Sequence, residues 1–182
     1  MQLTGGKLKG KKLVTCKTKA IRPAMALVRK SIFDTLQNKL VGLNILDLCA
    51  GSGLVGIECL SREAGELTLI DSDKYSINLI RKNLSLCNLK AKVILGRLPQ
   101  ILKKKKLFPK TFDLIFLDPP YGKGSFITEV LSGIIENKIN SSNCIIIIES
   151  ESRSSFDIPK ELTLYKEKRF GNTKLAFLLL NS

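Results

Sequence analysis

The stretch "LNILDLCAGSGLVGIECLSREAGELTLID", residues 43–71, holds a short aliphatic run, a glycine-rich turn, a segment with helically spaced apolar residues, and a second aliphatic run ending in an acid. Gly51, Gly53 and Gly56 form a G-x-G-x-x-G directly after the first run, and Asp71 follows about twenty residues on. This is a strand, a tight turn, a helix and a second strand. The alternation continues through "AKVILG" (91–96), "FDLIFLD" (112–118) and "NCIIIIE" (143–149). Between these runs, "KYSINLIRKNLSLCN", "LPQILKKKK" and "SFITEVLSGIIENK" space their apolar residues at helical intervals. Strands that are apolar on both faces and alternate with helices predict a doubly wound, mostly parallel α/β sheet covered on each side.

The two ends differ from this pattern. "LTGGKLKGKKLVTC" predicts a glycine-punctuated basic hairpin, and "RPAMALVRKSIFDTLQNKL" a helix entered through Pro23. At the other end, "ELTLYKEKRFG" and "NTKLAFLLL" are strand-like runs split by Gly171-Asn172, a hairpin signal. The run of lysines at 103–106 is expected to be a solvated helix end, where cations suit the helix dipole.

A chain of 182 residues, 44% hydrophobic, can build one compact domain with a sizeable core. Its net charge of +14 points to an anionic partner. Residues 1–30 concentrate that charge, with Lys7, Lys9, Lys11, Lys12, Lys17, Lys19, Arg22, Arg29 and Lys30 and no acid. The five cysteines are odd in number and form no C-x-x-C pair, which predicts reduced, buried thiols in a cytoplasmic protein. With no histidine, a zinc site or a histidine general base is excluded, and no metal is expected. The longest aliphatic run, Ile145 to Ile148, is far too short to span a bilayer, and the first residues form no export signal, so no membrane partner is expected.

Glycines after a first parallel strand let the backbone turn and approach a ligand at the following helix N-terminus. Asp47 lies four residues before Gly51, where its carboxylate is expected to project over the crevice toward a cationic or amino group. That charge would repel a pyrophosphate and favour the α-amino group of S-adenosylmethionine. Asp71, at the end of the second strand, is placed to accept bonds from both hydroxyls of a ribose; such an acid serves NAD and S-adenosylmethionine equally.

The fourth strand makes the choice, because it ends in Asp118-Pro119-Pro120-Tyr121. An exocyclic base amine is a poor nucleophile, since its lone pair is conjugated with the ring. Two acceptors holding its hydrogens can pull the nitrogen toward tetrahedral geometry and aim the lone pair at an electrophile. Asp118 offers a carboxylate and Pro119 a carbonyl, the prolines carry no competing N–H, and Tyr121 can stack on the base.

D-P-P-Y following D-x-x-x-G-x-G resembles the class I S-adenosylmethionine-dependent amino-methyltransferases. "TGGKLKGKKL", "IRPAMALVRKSIFDTL", "ILDLCAGSGLVGIECLSREA", "LDPPY" and "GNTKLAFLL" extend the resemblance over nearly the whole chain to the bacterial 16S rRNA guanine-N2 methyltransferase family commonly called RsmD. The glycine loop and D-P-P-Y mark the reaction class; the basic G-G-K-x-x-G-x-x-L and R-P-x-x-x-x-V-R mark the family. The resemblance implies a Rossmann-like, seven-stranded sheet with a final antiparallel hairpin, and a basic extension over residues 1–40 ahead of a methyltransferase domain over 41–182. It implies cofactor contacts from Asp47, Ala50, Gly51, Gly53 and Asp71, transfer at Asp118, Pro119, Pro120 and Tyr121, and N2-methylguanine in small-subunit rRNA as the product. Lys7, Lys9, Lys11, Lys12, Arg22 and Arg29 are expected to follow the rRNA backbone, whether naked or in the small ribosomal subunit, and a monomer is expected.

Two positions depart from the family pattern. Ala24, Met25 and Ala26 stand where R-P-T-x-D is usual, which removes a hydroxyl and an acid. Arg97 stands where such folds often carry a polar or acidic residue toward the adenine amino group, which leaves adenine to the backbone of Leu98. The alternative is a DNA adenine-N6 or cytosine-N4 amino-methyltransferase, which needs the same amine chemistry but usually a separate target-recognition domain. An RNA chaperone would not need Asp47, Asp71 and Asp118, and an NAD oxidoreductase would leave D-P-P-Y without purpose.

Overall fold

The computed structural model describes residues 1–15, 23–37, 39–120 and 124–181. The strands form one seven-stranded sheet in the order β3-β2-β1-β4-β5-β7-β6, and the chain divides into two compact units, Met1–Leu95 and Gly96–Ser182. The sheet is mostly parallel and closes with an antiparallel hairpin, as the motifs imply.

In the first unit the chain opens with a basic loop closed by an antiparallel bridge between Gln2 and Lys12. Leu3 and Leu13 turn inward from this loop and are buried. Helix α1 (Pro23–Leu36) is followed by β1 (Asn44–Leu48), α2 (Leu54–Ser61), β2 (Glu66–Asp71), α3 (Lys74–Leu86) and β3 (Lys92–Leu95). Strand β2 pairs in parallel with both β1 and β3, with Asp47 opposite Leu69 and Asp71 opposite Leu95. Ile45 to Leu48 are all buried, as a strand covered on both faces requires. Asp73 caps α3, its carboxylate accepting the N–H groups of Tyr75 and Ser76 at 3.1 and 3.2 Å. Those two backbone bonds hold the Asp73 carboxyl below its usual range.

In the second unit, β4 (Phe112–Leu117) and β5 (Asn140–Glu151) run parallel, flanking α4 (Gly124–Glu136) in sequence. Strand β7 (Thr173–Leu180) lies antiparallel to β5 and to β6 (Leu162–Phe170). The hairpin turn between β6 and β7 sits at Gly171, whose φ of 58° suits glycine. Ile146, Ile147 and Ile148 are buried, each stabilising the core by roughly 1.5–3 kcal/mol.

The lysine run departs from expectation. Residues 100–107 form two 3-10 turns, Gln100–Lys103 and Lys105–Leu107, rather than the end of an α-helix. Four adjacent cations with no acid a turn away disfavour a longer helix, while Ile101 and Leu102 alone fix the segment to the core.

Cys59, Cys87 and Cys144 are buried free thiols, Cys49 is half-buried, and Cys16 lies outside the described residues. Burial, with Asp113 nearby, pushes the Cys144 thiol up to about 12, and burial beside Asp47 and Glu58 also raises Cys59 strongly. Both are therefore poor nucleophiles. No helix among the described residues is long and apolar enough to cross a membrane.

Candidate active site

The turn from β1 into α2 is built on left-handed backbone. Cys49, Gly51 and Gly53 have φ of 58°, 58° and 74°. A side chain at Gly53 would be strained by this conformation and would also meet Leu69 Cδ2 at 3.0 Å. At Gly51 a Cβ would meet nothing within 4 Å, so the loop passes beside open space at this point. The Ala50 N–H donates to the Ile70 carbonyl at 3.1 Å, which ties the loop to β2, and the Gly53 N–H closes the turn on the Ala50 carbonyl at 2.8 Å.

Asp71 is central to this arrangement. Its Oδ2 accepts the Gly51 N–H at 2.8 Å and its Oδ1 the Asp73 N–H at 2.9 Å. One carboxylate at the carboxyl end of β2 thus holds the glycine loop on one side and the start of α3 on the other. Each oxygen retains a further lone pair for a hydroxyl donor. Half-buried Asp71, the open space beside Gly51 and the α2 N-terminus are the groups here that could hold a nucleoside ligand.

Asp47 does not project over an open crevice as expected. It is 4% exposed, and its Oδ2 accepts the Gly56 N–H in the first turn of α2 at 3.0 Å. The first amides of a helix lack intrahelical partners, so a neighbouring carboxylate is drawn to them. Asp47 therefore anchors α2 at the loop and leaves negative charge beneath it.

In the second unit, Asp118 is the first residue after β4 and is exposed; Pro119 is buried and Pro120 exposed. Tyr121 lies outside the described residues. Arg97 is exposed, with its carbonyl accepting the Ile101 N–H at 2.9 Å, and Leu98 is half-buried.

The basic residues divide. Lys7, Lys9, Lys11 and Lys12 belong to the N-terminal loop, where Lys7, Lys9 and Lys11 stand in the solvent and Lys12 follows them at the Gln2 bridge. Lys7 lies 2.7 Å from Glu63, and this hydrogen-bonded pairing raises its pKa. Arg22 lies outside the described residues. Arg29 corrects the expectation outright: it is 6% exposed and cannot line an RNA surface. Its guanidinium faces Glu58 Oε2 at 3.2 Å and donates to the Gln2 carbonyl at 3.0 Å. The sequence reading overlooked Glu58 as well, a fully buried acid on α2 that also accepts from Arg62 at 2.9 Å and from the Thr4 hydroxyl. A glutamate in an apolar helical stretch, "LVGIECLS", was the available signal, since buried acids need partners.

The chain is 33% identical over 167 residues to the Ribosomal RNA small subunit methyltransferase D of Buchnera aphidicola, covering 91% of this chain and 86% of that one. It is 30% identical over 173 residues to the protein of the same name from Escherichia coli, covering 94% and 85%. The solved structure of the Escherichia coli protein yhhF superimposes with a TM-score of 0.88 at 27% identity, over 100% of this chain and 98% of the other. The family model described as Conserved hypothetical protein 95 matches residues 1–179, and the chain belongs to that family, the RsmD family its motifs resemble.

Proposed function

We propose that the protein is an S-adenosylmethionine-dependent methyltransferase acting on the exocyclic N2 amine of a guanine in small-subunit rRNA. The observation that carries the reaction type is Asp118, an exposed carboxylate immediately past β4 and followed by two residues without an N–H. The names of the Buchnera and Escherichia coli relatives supply the rRNA substrate.

When bound, S-adenosylmethionine supplies a methyl group on a sulfonium, which departs as a neutral thioether. Asp71 bonds the ribose, and Gly51 and Gly53, with Ala50, bring the backbone close to the ligand. Asp47 holds α2 in place, and its charge favours the cofactor's amino group. Arg97 and the Leu98 backbone flank the adenine. Asp118 and the Pro119 carbonyl accept the two amine hydrogens, Pro120 stiffens the turn, and Tyr121 stacks on the guanine. The amine that receives the methyl group would become cationic, and its surplus proton would leave to Asp118 or water. No histidine base is needed.

The test is transfer of labelled methyl from S-adenosylmethionine to 16S rRNA or small subunits lacking the modification, with the product nucleoside identified. N2-methylguanine is the expected product. Methylation of DNA adenine or cytosine instead, or no transfer to either, overturns the proposal. In calorimetry, Asp71→Ala should weaken S-adenosylmethionine binding by about tenfold or more, the scale of losing hydrogen bonds to a charged acceptor. Unaltered binding would remove Asp71 from the site.

Lys7, Lys9, Lys11 and Lys12 lie along the rRNA backbone and confer affinity without sequence readout. Replacing all four by glutamine should weaken rRNA binding and flatten its salt dependence by roughly 0.7 to 0.9 in log K per log salt for each phosphate no longer neutralised. Cofactor affinity should not move. An unchanged salt slope would mean that the RNA docks elsewhere.

A further inference from the structure

Asn83 lies on the buried face of α3, a turn beyond Leu79 and Ile80. Its amide joins two segments far apart in sequence. Oδ1 accepts the Val14 N–H at 2.9 Å, and Nδ2 donates to the Val14 carbonyl at 2.8 Å and to the Ser52 carbonyl at 2.9 Å. The Val14 N–H requires an acceptor and the two carbonyls a donor, so the orientation of the amide is determined by its partners. Ser52 stands between Gly51 and Gly53 in the glycine loop, and Val14 follows the lysine loop by two residues.

A second grip holds the same lysine loop to α2. The Ser61 hydroxyl donates to the Gly5 carbonyl at 2.7 Å and accepts the Leu8 N–H at 2.9 Å, while the Lys7 N–H donates to the Ser61 carbonyl at 2.7 Å. Ser61 fixes the lysine loop, and its bonds do not reach residues 49–53. Asn83 bonds to both.

We infer that Asn83 is a positioning residue that locks the lysine loop to the glycine loop, so that occupation of the cofactor site tightens rRNA binding and rRNA tightens cofactor binding. The inference rests on the function proposed above for the identity of the two ligands. Its physical basis is a shared contact: one fully buried amide bonds both Ser52 in the glycine loop and the backbone at Val14, so a ligand that favours the bonded arrangement at one favours it at the other. Such coupling is reciprocal by thermodynamic necessity.

The experiment titrates the full-length protein with 16S rRNA, with and without saturating S-adenosylhomocysteine, in the wild type and three variants. The wild-type rRNA Kd is expected to tighten by about fivefold or more when S-adenosylhomocysteine is present. Asn83→Ala should bring that ratio to about one. Val14→Pro, at a position 36% exposed, removes the N–H that Asn83 accepts but keeps the Val14 carbonyl, and should lower the ratio without abolishing it. Ser61→Ala, which loosens the loop from α2 only, should weaken rRNA binding yet keep the ratio. A wild-type protein that binds both ligands independently overturns the inference, as do folded Asn83→Ala and Val14→Pro proteins that retain the full ratio. Failure of the wild type to bind S-adenosylhomocysteine at all would overturn the proposed function itself, and calorimetry without RNA reads that outcome separately.

Discussion

Asp118→Ala is expected to lower methyl transfer to rRNA by about two or more orders of magnitude, the scale of losing a transition-state acceptor, while leaving S-adenosylmethionine affinity nearly unchanged. The asymmetry follows from what the carboxylate does. In the ground state the guanine amine is planar and weakly basic, and its bonds to acceptors resemble those it makes in water. As the nitrogen moves toward tetrahedral geometry and becomes cationic, an adjacent carboxylate stabilises it far more than water does. Asp118 is exposed at the end of β4, where a base brought to the surface can meet it, and Pro119 and Pro120 carry no N–H groups of their own. Asp118→Asn, which retains an acceptor oxygen but not the charge, should fall between the wild type and alanine. Single-turnover rates with saturating cofactor, alongside calorimetric cofactor affinities, give both quantities. An alanine variant that keeps most of its rate would reduce Asp118 to a strand-end residue and remove the chemical basis of the proposed reaction.

How much of this was legible in the sequence depends on how local each signal is. Strands β1 and β2 begin and end within a residue of the aliphatic runs that predicted them, because Gly42 and Gly65 lie just ahead of them and the glycine loop and Asp71 bound their far ends. The β6–β7 hairpin was equally plain, since the turn at Gly171 is marked by residue type. Strand β5 was not. It begins at Asn140, well before the isoleucines, because Asn140 pairs with Phe112 across an irregularity in the ladder, and a polar "NSSN" carries no strand pattern of its own. Residues 100–107 failed for the opposite reason: the local pattern suggested a helix that the lysines could not sustain.

The candidate site shows the same division. The glycine loop, Asp71 and Asp118 are tied to strand ends, so once the strands were found their places followed. Asn83 carried no signal, because its partners Val14 and Ser52 lie 69 and 31 residues away. Arg29 was misread because a count of cations in residues 1–30 cannot tell a solvated side chain from one whose acid lies on another helix. Its i, i+4 neighbour in α1 is Phe33, itself buried, which already placed Arg29 on the inner face of that helix.

The pairing that hides Arg29 leads to the second large effect. Glu58→Ala is expected to destabilise the protein by about 3–5 kcal/mol, the range found when one partner of a buried ion pair is removed. Glu58 is fully buried, and its two oxygens face Arg62 at 2.9 Å and Arg29 at 3.2 Å, with the Thr4 hydroxyl bonded to the same oxygen as Arg62. Without the acid, Arg29 remains a buried guanidinium whose charge is uncompensated, and burial already lowers its pKa from the ordinary arginine value. Arg62 suffers less, since its side chain is 25% exposed and lies 4.4 Å over the Phe33 ring. The N-terminal loop loses Thr4 as an anchor at the same time. Urea unfolding followed by circular dichroism measures the loss. The double variant Glu58→Leu with Arg29→Met separates charge from packing: with both buried charges replaced by apolar groups of similar length, stability should return to near the wild-type value or exceed it. A Glu58→Ala protein as stable as the wild type would show that water reaches this pair in solution, and a double variant as unstable as the single would show that α1 and α2 depend on the shape of these side chains rather than on the neutralisation of Arg29.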